Sequence, residues 1–353
     1  MSTADGTVVG TTQIVNHGPA SERWNLVIVA EGYQNAELPT FAAHAQQFVN
    51  AFFATPPFDG LQCAINVFRV DVASTDSGAD DPVACGGTGA VRATYFDAHY
   101  CTAGIRRLLV VDGMSVVNVV NAQVPAWHQI LVIVNSNIHG GSGGQPGVTA
   151  VAGSWENTAI HEIGHSAFGL ADEYEYWAGC GIDTTQNTHM GPEPAEPNVT
   201  KNTDRTTMKW KDLVLAATPM PTTSNANCAV CDPQPNPVSA DTVGTFEGAR
   251  YFHCAMFRPQ FDCMMRNFAP FCAVCRKRIT DTLTPFLGAA KCRAPVFEPS
   301  GCIPCLVLIL VYIILIAILA IFSWIPSVRC MIKQMIFRMQ NCGKGNKDPC
   351  IEL

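Results

Sequence analysis

Apolar positions along the first half of the chain follow two alternating patterns. Three stretches are typical of buried strands, namely residues 24–30, 65–72 and 129–135. Apolar residues instead recur at helical spacing from Phe41 to Phe52, so residues 38–54 are predicted to form a helix. A second helix is predicted over residues 103–121. Strands that alternate with helices in this way indicate an α/β domain.

The pattern changes in the second half of the chain. From Tyr174 to about Thr245 the sequence is rich in Pro, Asn, Thr and Gly and has little periodicity. A loop of this length inside a domain is usually functional or held by cross-links, and the cysteines around it favour cross-links. The first predicted strand begins near residue 24. We therefore predict an N-terminal extension at 1–13 and one domain at 14–295.

A long apolar segment follows this domain. Residues 306–322 are all apolar, and roughly 20 such residues cross a bilayer, so a transmembrane helix is predicted over 303–325. The tail at 326–353 carries five basic residues, which are Arg329, Lys333, Arg338, Lys344 and Lys347. Such a tail favours the cytosolic side of the membrane. The prediction is a single-pass membrane protein with its large domain on the extracytoplasmic side.

The composition agrees with that location and excludes one class of partner. The chain has 16 cysteines, which favours an oxidising compartment and disulfide bonds. The tetrapeptide Cys-Ala-Val-Cys occurs twice, at 228–231 and at 272–275. Disulfides are favoured for these pairs outside the cell, and a structural zinc site with four thiolates is the alternative. The net charge is −7 and no large basic block is present, so no nucleic acid is expected as a partner.

The sequence HEIGH at 161–165 carries the strongest chemical signal. On a helix, His161 and His165 lie one turn apart on the same face, so both imidazoles reach one metal ion. Zn²⁺ with three protein ligands leaves a position for a water molecule and lowers the pKa of that water to about 7. Glu162 lies beside the metal and would take the proton of the water as it attacks a carbonyl. We predict His161 and His165 as metal ligands and Glu162 as the catalytic base.

The third metal ligand does not follow the long zinc-protease signature, HExxHxxGxxH. Here Gly169 comes one residue later than in that signature, and Asp172 keeps the spacing from glycine to ligand. Glycine can take a positive φ and turn the chain back toward the metal. Asp172 is therefore the preferred third ligand, with Glu173 and Glu247 as alternatives.

A methionine pair about a hundred residues downstream has a predicted supporting role. The segment Cys-Met-Met-Arg spans 263–266. In zinc proteases of the metzincin group, a methionine turn lies beneath the metal and supports the histidines. Met265 or Met264 is the candidate for this role.

Taken together, these segments resemble the bacterial immunoglobulin A peptidase family of zinc metallopeptidases. The resemblance covers roughly residues 14–290 and rests on VIVAEGY, the FxxHAQQFVNAFF helix, STDSGADDP, HEIGHSAFGLADEY and the run from 246 to 279. Its most specific parts are HEIGHS…GLADEY and, within that run, RP…CMMR…FCxVC. It implies a metzincin-like zinc-peptidase domain with a twisted mixed sheet, an active-site helix and a loop-rich C-terminal subdomain. It also implies an endopeptidase that uses His161, Glu162 and His165, with Asp172 as the third ligand.

The resulting functional prediction is a membrane-anchored, zinc-dependent endopeptidase acting on a protein or peptide substrate. Two alternatives use the same residues. One is a non-catalytic binding protein that contains zinc, and the other is a zinc amidase acting on a non-peptide amide. Zinc content and substrate screening distinguish the three.

Overall fold

A computed structural model describes residues 5–231 and 235–288 of the protein. The predicted transmembrane helix at 303–325 and the tail at 326–353 lie outside these residues. Within the described ranges, no helix combines the length and the apolar character needed to cross a membrane.

The centre of the domain is a twisted mixed sheet of six strands. The strands are β1 (Gly6–Val15), β2 (Trp24–Glu31), β3 (Ile65–Ser74), β4 (Gln129–Val134), β5 (Gly141–Ser142) and β6 (Gly147–Ala150). Their order across the sheet is β1-β3-β2-β4-β6-β5. The four inner strands are parallel, and β1 and β5 run antiparallel at the two edges. The predictions of an α/β fold and of strands β2, β3 and β4 are confirmed.

Strand β1 was not predicted. Residues 6–13, assigned to an N-terminal extension, lie in this strand, and the sheet begins at Gly6 rather than near residue 24. Most of its side chains are half-buried or exposed, because an edge strand has only one neighbour. Its sequence therefore lacks the continuous apolar run that marks β2 and β4, both of which are completely buried.

The described residues also contain six α-helices. They are α1 (Leu38–Ala54), α2 (Phe58–Leu61), α3 (Gly113–Gln123), α4 (Trp155–Phe168), α5 (Met264–Asn267) and α6 (Ala273–Leu283). The prediction of α1 is confirmed. The predicted helix at 103–121 is wrong in its first ten residues, since α3 begins only after Asp112, whose carboxylate accepts hydrogen bonds from the N–H groups of Met114 and Ser115. Ala103 and Gly104 have positive φ and interrupt any earlier helix.

Helices α1 and α4 pack on each other and on the sheet, which positions the helix that carries the HEIGH sequence. Phe168, the last residue of α4, stacks against Trp24 of β2 with 6.0 Å between ring centroids. It also packs against Phe58, which stacks on Phe52 of α1 at 4.0 Å. This aromatic contact fixes the C-terminal end of α4, where the chemistry is predicted.

The long segment after Tyr174 is irregular, as predicted, and is cross-linked. Two disulfides, Cys180–Cys231 and Cys228–Cys254, tie it to itself and to a hairpin formed by β7 (Phe246–Ala249) and β8 (Phe252–Arg258). A third disulfide joins Cys85 to Cys101. The two Cys-Ala-Val-Cys pairs do not form a joint four-thiolate site, because both sulfurs of the first pair are in disulfides. Cys272 and Cys275, in contrast, are free.

Candidate metal centre

Helix α4 carries the two histidines and ends at a glycine that reverses the chain. Gly169 has a φ of 62° and its N–H bonds back to the carbonyls of Gly164 and His165. This left-handed conformation strains other residues, so glycine is needed here. The turn brings residues 170–172 back over the last turn of α4.

Backbone carbonyls orient both imidazoles. His161 Nδ1 donates to the carbonyl oxygen of Met264 at 3.0 Å, and His165 Nδ1 donates to that of Leu170 at 2.7 Å. Because a carbonyl can only accept, each Nδ1 carries a hydrogen, so in the neutral form of each ring Nε2 is the atom with the lone pair. The two Nε2 atoms lie 3.1 Å apart. Both histidines are therefore set to bind a metal through Nε2.

Asp172 completes a set of three converging ligands. Its Oδ1 lies 3.0 Å from His161 Nε2 and 3.2 Å from His165 Nε2. Tetrahedral zinc with ligands at about 2.0–2.2 Å has ligand-to-ligand edges of about 3.4 Å. The three observed edges are slightly shorter than this value, and the donors are two neutral nitrogens and one carboxylate. The residues present fit a zinc ion with one position left open.

The electrostatics of this set favour a cation. Burial opposes the charged form of His165, but the hydrogen bond to Asp172 and the charge of that carboxylate raise the pKa of His165 to about 9. Burial likewise opposes ionisation of Asp172, but its bonds with His161 and His165 hold the pKa of Asp172 well below its usual range. The carboxylate is thus ionised, and a proton or a metal ion balances its charge.

Glu162 lies beside the ligands without joining them. It is buried and lines the same cavity as the three ligands. Burial raises the pKa of its carboxyl, the direction that suits a group accepting a proton near neutral pH. The edge strand β5 approaches closely here: a Cβ at Gly141 would lie 3.2 Å from Glu162 Oε1 and 2.9 Å from the carbonyl oxygen of Val148.

The alternative third ligands point elsewhere. Glu173, the neighbour of Asp172, is completely buried and directs its carboxylate toward Asn198 and two cysteines. Glu247 accepts hydrogen bonds from the backbone N–H groups of Asn225 and Ala255. Of these three carboxylates, only that of Asp172 meets both imidazoles.

Both methionines predicted to support the histidines lie beneath them. The carbonyl of Met264 orients His161, as described above. Met265 is completely buried against α4, and a Cβ at Gly164 would lie 2.6 Å from its sulfur. Glycine at 164 therefore allows Met265 to pack directly against the helix that carries the two histidines.

Two residues that support Asp172 were not identified from the sequence. Tyr251 donates its hydroxyl to Asp172 Oδ2, and Asn198 holds Ala171 through both backbone groups of that residue. Asn198 comes from the long irregular segment and Tyr251 from the turn of the β7–β8 hairpin. Neither position carries a local sequence signal, because both residues reach Asp172 only through the tertiary fold.

The ligands face a cavity of about 770 Å³. Aromatic side chains form much of its wall, namely Tyr174, Tyr176, Trp177, Tyr251 and Phe268. Edge strand β5 and the following Gly143 form another part, next to His165. Trp177 is half-exposed at the rim, so the cavity is an open cleft.

One comparison with known proteins identifies a match. The family model described as IgA Peptidase M64 matches residues 12–229 and 234–283. A comparison with curated protein sequences finds no match.

Proposed function

The chain belongs to the M64 family of IgA peptidases, and from that premise we propose that it is a zinc-dependent endopeptidase. The observation that carries the proposal is the convergence of His161, His165 and Asp172 on one point, with Glu162 beside them in the same cleft. A zinc ion held by these ligands would supply a Lewis acid that lowers the pKa of a water molecule in the site to about 7.

Glu162 has the central part in the reaction. Its carboxylate takes a proton from the attacking water and then passes that proton to the leaving amine nitrogen. Burial of Glu162 limits the contact of its carboxylate with bulk water. Tyr251 and the carbonyls of Met264 and Leu170 hold the ligands in orientation.

The cleft fits an extended polypeptide. Strand β5 is an edge of the sheet and borders the cleft; Gly141 is already bridged to Leu108, so pairing with an extended chain would use the backbone that follows Gly141. A volume of about 770 Å³ exceeds what one amide group needs and suits several side chains. This observation favours a peptide substrate over a small non-peptide amide.

The test compares two matched variants of the full-length chain on unfolded protein and on a peptide library. Glu162→Gln is expected to retain zinc and lose at least about 10²-fold in cleavage rate, the range for removing a general base. Glu156→Gln, in the first turn of the same helix and outside the cleft, serves as the control and keeps the wild-type rate. Cleavage by Glu162→Gln at the wild-type rate would refute the assignment. Wild-type protein that holds zinc and cleaves nothing would favour a non-catalytic binding protein.

Zinc content tests the third ligand. In Asp172→Ala, one of three ligands is lost along with the charge that balances the metal, so we expect catalytic zinc to be lost on dialysis. Full retention of that zinc would exclude Asp172 as a ligand.

We also propose that the segment at 303–325 anchors the domain in a membrane, with residues 14–295 on the extracytoplasmic side. The disulfides found among the described residues support an oxidising compartment. Carbonate extraction of membranes containing the full chain should leave it in the pellet, and protease added from outside should degrade the domain. Release by carbonate would exclude the anchor.

A further inference from the structure

Three buried thiols lie together on the far side of Asp172 from the cleft. Cys263, Cys272 and Cys275 are at most 1 % exposed, and all three are free. The sulfurs of Cys263 and Cys275 are 3.8 Å apart, compared with about 2.05 Å in a disulfide. These three thiols are therefore not disulfide-bonded, although other cysteines of the described residues are.

A buried carboxylate joins the thiols. Glu173 Oε1 lies 3.3 Å from Cys275 Sγ and 3.6 Å from Cys272 Sγ. Glu173 is completely buried, and its second oxygen has no hydrogen-bond partner among the described residues. No lysine or arginine of the described ranges forms an ion pair with it. An acidic group in this position requires a cation or a proton.

The distances match the edges of a zinc tetrahedron. With zinc–sulfur bonds of about 2.3 Å and a zinc–oxygen bond of about 2.1 Å, sulfur–sulfur edges are about 3.8 Å and sulfur–oxygen edges about 3.6 Å. The observed values are 3.8 Å for sulfur–sulfur, and 3.6 and 3.3 Å for sulfur–oxygen. All four ligand atoms lie within 4.8 Å of one another.

The local backbone is arranged to stabilise thiolates. Cys272 and Cys275 occupy the N-terminus of α6, where N–H groups have no helical acceptor. The N–H of Cys275 donates to Cys272 Sγ at 3.3 Å, and the N–H of Cys272 donates to Cys263 Sγ at 3.2 Å. Such bonds favour the deprotonated sulfur that a metal needs.

We propose that Cys263, Cys272, Cys275 and Glu173 bind a second zinc ion with a structural role. Four protein ligands close the site, which distinguishes it from the open catalytic centre. Another group, Glu175 with Cys180 and Cys231, does not compete, since both of its sulfurs are in a disulfide.

The second ion would join the two segments that build the catalytic centre. Cys263 directly precedes the Met264–Met265 turn under the histidines, and Glu173 directly follows Asp172. The two segments already meet where the N–H of Glu173 donates to the carbonyl of Met265 at 2.7 Å. Binding at the second site therefore fixes the position of Asp172 relative to α4. This role rests on the proposed function, whereas metal binding by the thiols does not.

Cobalt substitution of the full-length wild-type chain tests the proposal directly. Cobalt bound by thiolates gives intense near-ultraviolet charge-transfer bands, which histidine and carboxylate ligands do not give. We expect these bands in the wild type and in His165→Ala, which disrupts only the catalytic centre. Zinc-loaded wild type should contain about two ions per chain.

A double variant and a matched control complete the test. Cys272→Ser/Cys275→Ser should lose the charge-transfer bands and one of the two zinc ions. Cys85→Ser/Cys101→Ser should keep the bands and both zinc ions. If the first variant fails to fold, the spectra of the wild type and of His165→Ala still show whether thiolates bind the cobalt. Absence of the bands in the wild type, or a Cys263–Cys275 disulfide found by peptide mapping, would overturn the proposal. Bands without peptide cleavage would refute the peptidase and leave this site standing.

Discussion

Asn198 connects the long irregular segment to the metal centre, and its truncation should destabilise the domain. Its side chain is completely buried. Its Oδ1 accepts from the N–H of Ala171 at 2.8 Å, and its Nδ2 donates to the carbonyl of Ala171 at 2.8 Å and to Glu173 Oε1 at 2.9 Å. Asn198→Ala removes all three bonds and leaves the backbone groups of the residue before Asp172 without partners.

The expected loss follows from those unpaired groups. Each buried donor or acceptor left unsatisfied costs about 1–3 kcal/mol, and Ala171 contributes one of each. Glu173 retains its neighbouring cysteines, so its contribution is smaller. Water entering the vacated space recovers part of the loss. We expect the free energy of unfolding to fall by about 2–4 kcal/mol.

Urea denaturation of the zinc-loaded chain measures this change. Asn50→Ala is the matched control, because Asn50 is exposed on α1 and its replacement should change stability by less than about 0.5 kcal/mol. Asn198→Asp, which keeps the volume but removes both donors and adds a charge near Glu173, should be at least as destabilising as Asn198→Ala. A loss below about 1 kcal/mol in Asn198→Ala would refute the reasoning, since the bonds would then be replaceable.

Three further predictions concern residues around the site and the sheet. Tyr251→Phe removes the hydroxyl that donates a hydrogen bond to Asp172. Zinc affinity, measured by competition with a chelator, should fall about 10-fold or more, while the circular dichroism spectrum stays unchanged. An unchanged affinity would contradict this role. Cys180→Ser/Cys231→Ser removes a disulfide that spans 51 residues, and urea denaturation should show that the free energy of unfolding falls by about 2–4 kcal/mol. No fall would mean that the overlapping Cys228–Cys254 disulfide alone constrains this segment. Burial raises the pKa of Glu31 from 4.5 to about 7, so the folded chain keeps a proton that the unfolded chain releases. The free energy of unfolding should therefore fall by about 3 kcal/mol as pH rises from 4.5 to about 7, and Glu31→Gln should remove that dependence; parallel pH profiles of the two proteins would refute it.

Local patterns in the sequence were sufficient to predict the parts of the fold that depend mainly on neighbouring residues. Helix α1 and strands β2 and β4 are buried along one face or both, so their apolar periods are clear. The HEIGH sequence likewise determines that both histidines lie on one face of α4, since that follows from helical geometry alone. Strand β1 and the start of α3 were mispredicted, because an exposed edge strand and a capping aspartate leave weak apolar signals.

Tertiary packing decided between residues that are equivalent in sequence. Asp172 and Glu173 are adjacent acids that both suit a third ligand by spacing, yet one meets the imidazoles and the other the cysteines. The reason is that the two neighbouring side chains leave the chain in different directions, one toward the histidines and the other toward the cysteines. Tyr251 and Asn198 then orient this segment from distant parts of the chain.

The two Cys-Ala-Val-Cys pairs show most clearly that residues with the same sequence can have different roles in the folded chain. Their sequences are identical, but the pair at 228–231 forms two disulfides with different partners, and the pair at 272–275 forms none and lies beside Glu173. Whether a thiol forms a disulfide or faces a carboxylate depends on which groups the fold brings within bonding distance. The sequence determined that the cysteines are present and that a helix carries two histidines on one face, and only the folded chain determined which of these residues meet.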